Sequence, residues 1–202
     1  MYYPRVADPS QEYATAFVRS AGRELHATKR LRALPNYRDY VVVAESWTPT
    51  GDYTLLRYPA VPPAPPAARG LLTALQLMQK CRLVHGAIGP SAVRGGKLCD
   101  FRVAVDITRA VPCAREYFFP DADPPDKRVL GILVQGAAAP VPAAYSRFLE
   151  MPREAAILEL LKGWRTWDLY DLSGVVNHPL AARCRAEHVA DRPTVAECLA
   201  AL

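Results

Sequence analysis

The run LVHGAIGPSAVRGGKLCDFRVAVD, Leu83 to Asp106, constrains this chain more tightly than any other stretch. As pattern alone it reads as a helix, a turn and two short strands of an α+β domain. The segment leading into it, GLLTALQLMQKCRLVHG, sets Leu71, Leu72, Leu75 and Met78 on one helical face, the spacing of core packing. Half of the 202 residues are hydrophobic, which suffices to bury one sizeable core.

Upstream, residues 11–34 carry Ala14, Phe17, Val18, Ala21 and Leu25 at i, i+3, i+4, i+7 and i+11. That stripe predicts an amphipathic helix, with Glu24 on its solvated side. A Pro35-Asn36 breaker leads into an apolar strand, Tyr40 to Ala44. TPTGD then predicts a turn, and YTLLRY, Tyr53 to Tyr58, the partner strand. AVPPAPPAARG, Ala60 to Gly70, has four prolines in eleven residues and is expected to be extended.

The net charge is +5, and Arg23, Lys29, Arg30, Arg32 and Arg38 concentrate part of it near one helix end. No recognition motif or aromatic platform accompanies them, so a solvated helix end is expected and no nucleic-acid partner. No apolar run approaches bilayer-crossing length and no secretory signal opens the chain, so membrane insertion is not expected. Five cysteines (Cys81, Cys99, Cys113, Cys184 and Cys198) are odd in number and scattered, which suits reduced thiols in a cytosolic or nuclear protein. Cys184, His188 and Cys198 are a conceivable metal set, but the C-x-x-C spacing of structural zinc is missing. Neither a metal nor a cofactor is expected.

The Leu83–Asp106 run resembles the catalytic centre of the protein kinases with its chemistry removed. Kinases place a catalytic Asp two residues after the His, a Lys two further on and a magnesium-binding Asn five beyond the Asp. A second magnesium-binding Asp opens their Asp-Phe-Gly. Here His85 is kept, while those positions hold Ala87, Gly89 and Ala92; Asp100 and Phe101 survive, and the glycine is Arg102. Three more landmarks follow in kinase order. YFFPD, Tyr117 to Asp121, stands where the activation segment closes. DKRVLGILV, Asp126 to Val134, resembles the central C-lobe helix. Cys184 to Leu202 resembles the last two helices, joined by a turn ending in Arg192-Pro193.

The resemblance implies an α+β, protein-kinase-like fold with a mostly helical C-lobe and a truncated N-lobe of a regulatory helix plus two strands. Residues 1–59 would be the N-lobe remnant, 60–70 a proline-rich hinge and 71–202 the C-lobe. The glycine-rich loop and the strand bearing the phosphate-binding lysine are expected to be absent, and with them nucleotide binding. It also implies a buried structural His85, an ion pair between Asp121 and Arg192, and a buried helix led by Asp126. Arg102 is expected to pair with Asp100 and fill the site.

The turn His85-Gly86-Ala87-Ile88 is similar to the His-Gly-Lys-Ile turn of the mixed lineage kinase domain-like (MLKL) pseudokinases. Cys184-Arg185-Ala186 and Pro35-Asn36 fit the same family. Its members execute necroptosis through a four-helix bundle after the receptor-interacting kinase of the necrosome phosphorylates their activation loop. Taken as given, this chain has no such bundle, and its segment Val103 to Glu116 holds Thr108 but no serine. The resemblance therefore implies a decoy like the virus-encoded truncated MLKL-like proteins. It would occupy that kinase in the host cytoplasm and block MLKL phosphorylation. Thr108, Tyr117, Phe118 and Phe119 are the candidate contacts, with Tyr117 and Phe119 alternatively filling the core beneath the segment. A scaffold or allosteric regulator of a different kinase is the other reading. An enzyme of unorthodox chemistry would have to use His85, Asp100 or Asp106, and the chain is not expected to be an enzyme.

Overall fold

Strand β1, Tyr13–Val18, occupies the first half of the helix expected over residues 11–34. The computed structural model describes residues 13–18 (the strand by its backbone), 21–109 and 118–202. Thr15, Phe17 and Val18 are strand formers, which favour a pleated element over a helical turn. Helix α1 begins only at Gly22 and runs to Arg32. Its buried residues are Glu24, Ala27, Thr28 and Leu31. The helical period was legible, but the stripe sits one phase further on, and Glu24 faces inward.

Two further strands complete this sheet, β3 (Ser46–Thr50) and β4 (Tyr53–Pro59), in the order β1-β4-β3 with antiparallel pairing throughout. The TPTGD turn is tighter than expected. Thr48, Pro49 and Thr50 belong to β3, and only Gly51 and Asp52 lie between the paired Thr50 and Tyr53. Gly51 takes φ +57°, which glycine adopts without a Cβ penalty. Pro49 is tolerated because β3 lies at an end of that order, where a missing N–H breaks no ladder.

The expected strand Tyr40 to Ala44 shortens to β2, Val41–Val42, and does not pair with β4. A one-turn helix α2, Tyr37–Tyr40, takes its first residue. Strand β2 instead runs parallel to β7, Lys97–Cys99, which pairs antiparallel with β6, Val93–Arg94. The run from Val41 to Ala44 is buried throughout, as an all-apolar strand requires. A two-stranded ribbon of β5, Leu83–Val84, and β8, Val105–Asp106, brackets the sequence between them.

Helix α3, Ala68–Lys80, buries the expected stripe of Leu71, Leu72, Leu75 and Met78. Helix α4, Pro125–Gln135, has proline in its first turn and ends at Gly136 with φ +67°. The remaining helices are α5 (Arg147–Glu150), α6 (Arg153–Leu161), α7 (Trp167–Leu172), α8 (Ala181–Cys184) and α9 (Val195–Ala200). Helix α8 ends at Cys184, where the first of the last two helices was expected to begin. Helix α9 opens on a reciprocal capping box between Thr194 and Glu197.

Among the described residues the elements form an α+β architecture around three apolar clusters. The largest joins Ala27 and Leu31 of α1 to Leu71, Leu75 and Met78 of α3 and to Val195 and Cys198 of α9. One core therefore extends on both sides of the proline-rich segment. A second cluster packs Val129, Leu130 and Val134 of α4 against Phe148, Leu160 and Trp167.

Candidate functional site

The His85 turn, between β5 and β6, is held from below by carboxylates. Asp168 accepts from the backbone N–H groups of His85 (2.7 Å) and Gly86 (3.0 Å), one on each oxygen. Asp171 accepts from Ile88 N at 3.4 Å. The two acids lie three residues apart on α7, which puts them on one face. Lys127 of α4 donates to Gly86 O at 2.9 Å. Gly86 has φ +84°, and a Cβ there would lie 3.2 Å from Val103 O, so both conformation and space favour glycine.

His85 is buried. Its Nε2 lies 2.9 Å from Cys99 O, and its ring centroid sits 5.1 Å from that of Phe101. Burial lowers its pKa, against the raising effect of Asp168, which leaves a neutral imidazole donating to the Cys99 carbonyl. The imidazole is thus bonded to backbone inside the core. Ala87 is exposed, while Ala92 is buried in a single 3-10 turn, Pro90–Ala92. Gly89 is extended and half-buried. None of these three side chains can accept a proton or ligate a cation.

Asp100 takes a left-handed conformation, φ +70°, at the start of the 3-10 turn Phe101–Val103. Arg102 grips it with a two-bond fork, Nε to Oδ1 and Nη2 to Oδ2, both 2.5 Å. A carboxylate held bidentate by guanidinium is in its strongest common pairing. Among the described residues no cluster of three or more His, Cys, Asp or Glu side chains is arranged to hold a metal. Cys184 and Cys198 meet with their sulfurs 3.8 Å apart, whereas His188 stacks on Tyr145.

Helix α1 is fastened to the far end of this run. Asp106 accepts from His26 Nε2 and Arg30 Nη1, each 2.8 Å, and from the N–H (2.9 Å) and hydroxyl (2.6 Å) of Thr108. Burial raises the Asp106 pKa, but the bonds from Thr108 and His26 and the charge of Arg30 outweigh it and hold the carboxyl below its usual range. On the same helix Glu24 is fully buried and accepts from the Tyr58 hydroxyl at 2.6 Å. The solvated Glu24 expected from sequence is thus corrected.

The contact candidates divide. Thr108 is exposed with its hydroxyl committed to Asp106. Phe118 is no surface anchor, being fully buried edge-on against Trp167 at 5.7 Å. Phe119 is 52% exposed and so does not fill the core. Tyr117 lies outside the described residues.

The pairing expected between Asp121 and Arg192 is also corrected. Asp121 is exposed. Arg192 Nη1 lies 2.8 Å from Asp126 Oδ1 and 3.2 Å from Thr166 Oγ1, while Nε and Nη2 donate to the carbonyls of Ala186 and Glu187. Asp126 leads a buried helix, as expected, and its second oxygen accepts from Trp167 Nε1 at 2.5 Å. A buried guanidinium needs a buried anion, and Asp126 provides one where Asp121 does not.

Sequence reasoning missed Asp168, Asp171, Lys127, His26 and Arg30. The i, i+3 acids of Trp167-Asp168-Leu169-Tyr170-Asp171 were the one available signal. No protein-family model matches the chain, and a search of curated proteins finds no match. Among the described residues no helix is long and apolar enough to cross a membrane.

Proposed function

We propose that this chain is a kinase-like protein without phosphotransfer chemistry that acts by occupying another kinase. Its partner would be the receptor-interacting kinase of the necrosome, withheld from cellular MLKL so that necroptosis is blocked in the host cytoplasm. The observation that carries the reading is the combination of an exposed Ala87 on an ordered turn with an Asp100 gripped by Arg102. The turn is built with care, by Asp168, Asp171 and Lys127, around a position that has no reactive group. A site kept in shape without its chemistry suits recognition better than catalysis.

Two further features support the kinase-like frame. A strand precedes α1 and pairs with β4, which the truncated N-lobe was expected to lack, yet none of its six residues is lysine. And α1 is anchored to the segment after Asp100-Phe101 through Asp106, with no nucleotide contact required. Competition by occupancy follows mass action: equal affinity demands excess, and each 1.4 kcal/mol gained is worth about tenfold.

The test is co-immunoprecipitation of the tagged chain from cells stimulated to undergo necroptosis, with MLKL phosphorylation and death scored in parallel. Capture of the necrosome kinase with reduced phosphorylation and survival is the expected result. Capture of a different kinase, with necroptosis unaffected, would replace this reading by that of a scaffold or allosteric regulator.

A further inference from the structure

The proline-rich segment is a strap fixed to the molecule rather than a loose linker. Residues 60–67 belong to no helix or strand, yet β4 before them and α3 after them are both packed into buried clusters. Val61, Pro62, Ala64 and Pro65 each precede a proline, a position that disfavours helical backbone and favours an extended one. Each proline in turn holds its own φ near about −65°. The conformation that satisfies both is the polyproline helix, with three residues per turn.

One side of the strap is seated on Gly95 and Gly96, the turn between β6 and β7. A Cβ on Gly95 would fall 2.3 Å from Val61 Cγ1 and 2.5 Å from Pro62 O, and one on Gly96 would fall 3.0 Å from Pro65 O. Two carbonyls three residues apart thus face the same turn, which is the repeat of a polyproline helix. Val61 is half-buried against the cluster of Leu56 and Tyr58, whereas Pro62, Pro63, Pro65 and Pro66 are all exposed. Four prolines are therefore presented on a backbone already held in place. A partner that reads them has little ordering entropy to supply.

The charge around the strap has one sign. No acid lies between residues 60 and 70. Arg69 is exposed in the first turn of α3, where a cation opposes the helix dipole and no acidic residue offsets it. Among the described residues it makes no ion pair. Arg94 and Lys97 flank the glycine turn beneath.

We propose that residues 62–66 are a docking strap for a domain of another protein whose aromatic-lined proline groove has acidic residues beside it, the SH3 type. Pro62 with Pro65, and Pro63 with Pro66, give the P-x-x-P spacing that such grooves read. Arg69, three residues beyond Pro66, meets the acidic flank. WW and EVH1 grooves read the same backbone, and the basic surroundings favour the acid-flanked groove over them. The strap stands apart from the decoy reading: it uses no residue of the His85 turn, and it holds whether or not the necrosome kinase is bound.

The test titrates the whole chain by calorimetry against a panel of purified SH3 domains, with WW and EVH1 domains in parallel. At least one SH3 domain should bind with a Kd below about 1 mM. A proline-rich peptide that fills the groove of that domain should displace the chain. The double variants Pro62→Ala with Pro65→Ala, and Pro63→Ala with Pro66→Ala, each remove one proline pair. At least one of them should weaken binding by about tenfold or more. Arg69→Glu should also weaken it, and added salt should narrow the gap between this variant and the native chain. All five positions are exposed, and an unchanged melting temperature verifies that each variant is folded. No SH3 domain binding below about 1 mM, binding that survives both double variants, or capture by WW or EVH1 domains alone overturns the proposal.

Discussion

Arg192 reaches across 66 residues of chain to Asp126, Nη1 2.8 Å from Oδ1, with neither side chain exposed to solvent. Through its bonds to the carbonyls of Ala186 and Glu187, the same guanidinium ties α4 to the loop ahead of α9. Such a pair contributes little over an apolar substitute, but losing one member strands the other charge in the interior.

Arg192→Ala should therefore destabilise the chain by about 3–5 kcal/mol in urea titrations. The double variant with Asp126→Ala should cost clearly less than the two single losses added together. A single-variant loss below about 1 kcal/mol would show that the pair is not the anchor described here.

Asp171 makes stability fall with rising pH. Burial, aided by the charge of Asp168, pushes its pKa up to about 7, well above the ordinary 3.8. The folded chain therefore holds this proton more tightly than the unfolded one. The stabilisation is complete below about pH 4 and is lost as pH climbs to about 7. Asp171→Asn keeps an acceptor for Ile88 N and should flatten that slope, leaving the variant the more stable form at pH 8. A slope that persists in the variant would assign the effect to another group.

Gly131 lies against the backbone of Phe119, where an added Cβ would fall 2.2 Å from its carbonyl oxygen. Gly131→Ala should cost more than about 3 kcal/mol, since backbone rather than a flexible side chain must move. The shift would pull Phe118 off Trp167, so the tryptophan near-ultraviolet circular dichroism should weaken in step. Unchanged stability and spectrum would contradict this packing.

Magnesium-ATP should leave the melting temperature of the native chain unchanged. Arg102 already makes two bonds to the Asp100 carboxylate, and neither Ala87 nor Ala92 can ligate a cation. Calorimetric binding of magnesium-ATP would refute the filled-site reading.

Apolar spacing made much of the helical framework legible. Leu71, Leu72, Leu75 and Met78 announced α3 because they follow a clean helical period, whereas Asp126 to Val134 was read as a helix only through its resemblance to the central C-lobe helix of kinases. The N-terminal stripe misled because Ala14, Phe17 and Val18 satisfy helical spacing while Thr15, Phe17 and Val18 prefer a strand; pairing with β4 decided between them. Single-residue pairing was the least legible feature. Asp121 and Asp126 are both acids at plausible distance along the chain from Arg192, and only burial in the folded core distinguishes them. Asp168 and Asp171 showed only as a pair of acids at helical spacing, and their partners stayed hidden for a related reason. Their work is to receive backbone N–H groups more than 80 residues away, and a backbone amide leaves no mark in sequence.

Asp106 collects donors from two places, His26 and Arg30 on α1 and Thr108 on its own turn. Mechanically, that makes the helix and the turn one lever. Tension on the chain at Thr108 reaches α1 through that carboxylate, and the inner face of the helix lies in the main core, so a load at either end meets the stiffness of both. A side chain of four heavy atoms is thus the polar half of the fastening, and the packing of Ala27 and Leu31 in one cluster with Phe101 and Ala104 is the other half.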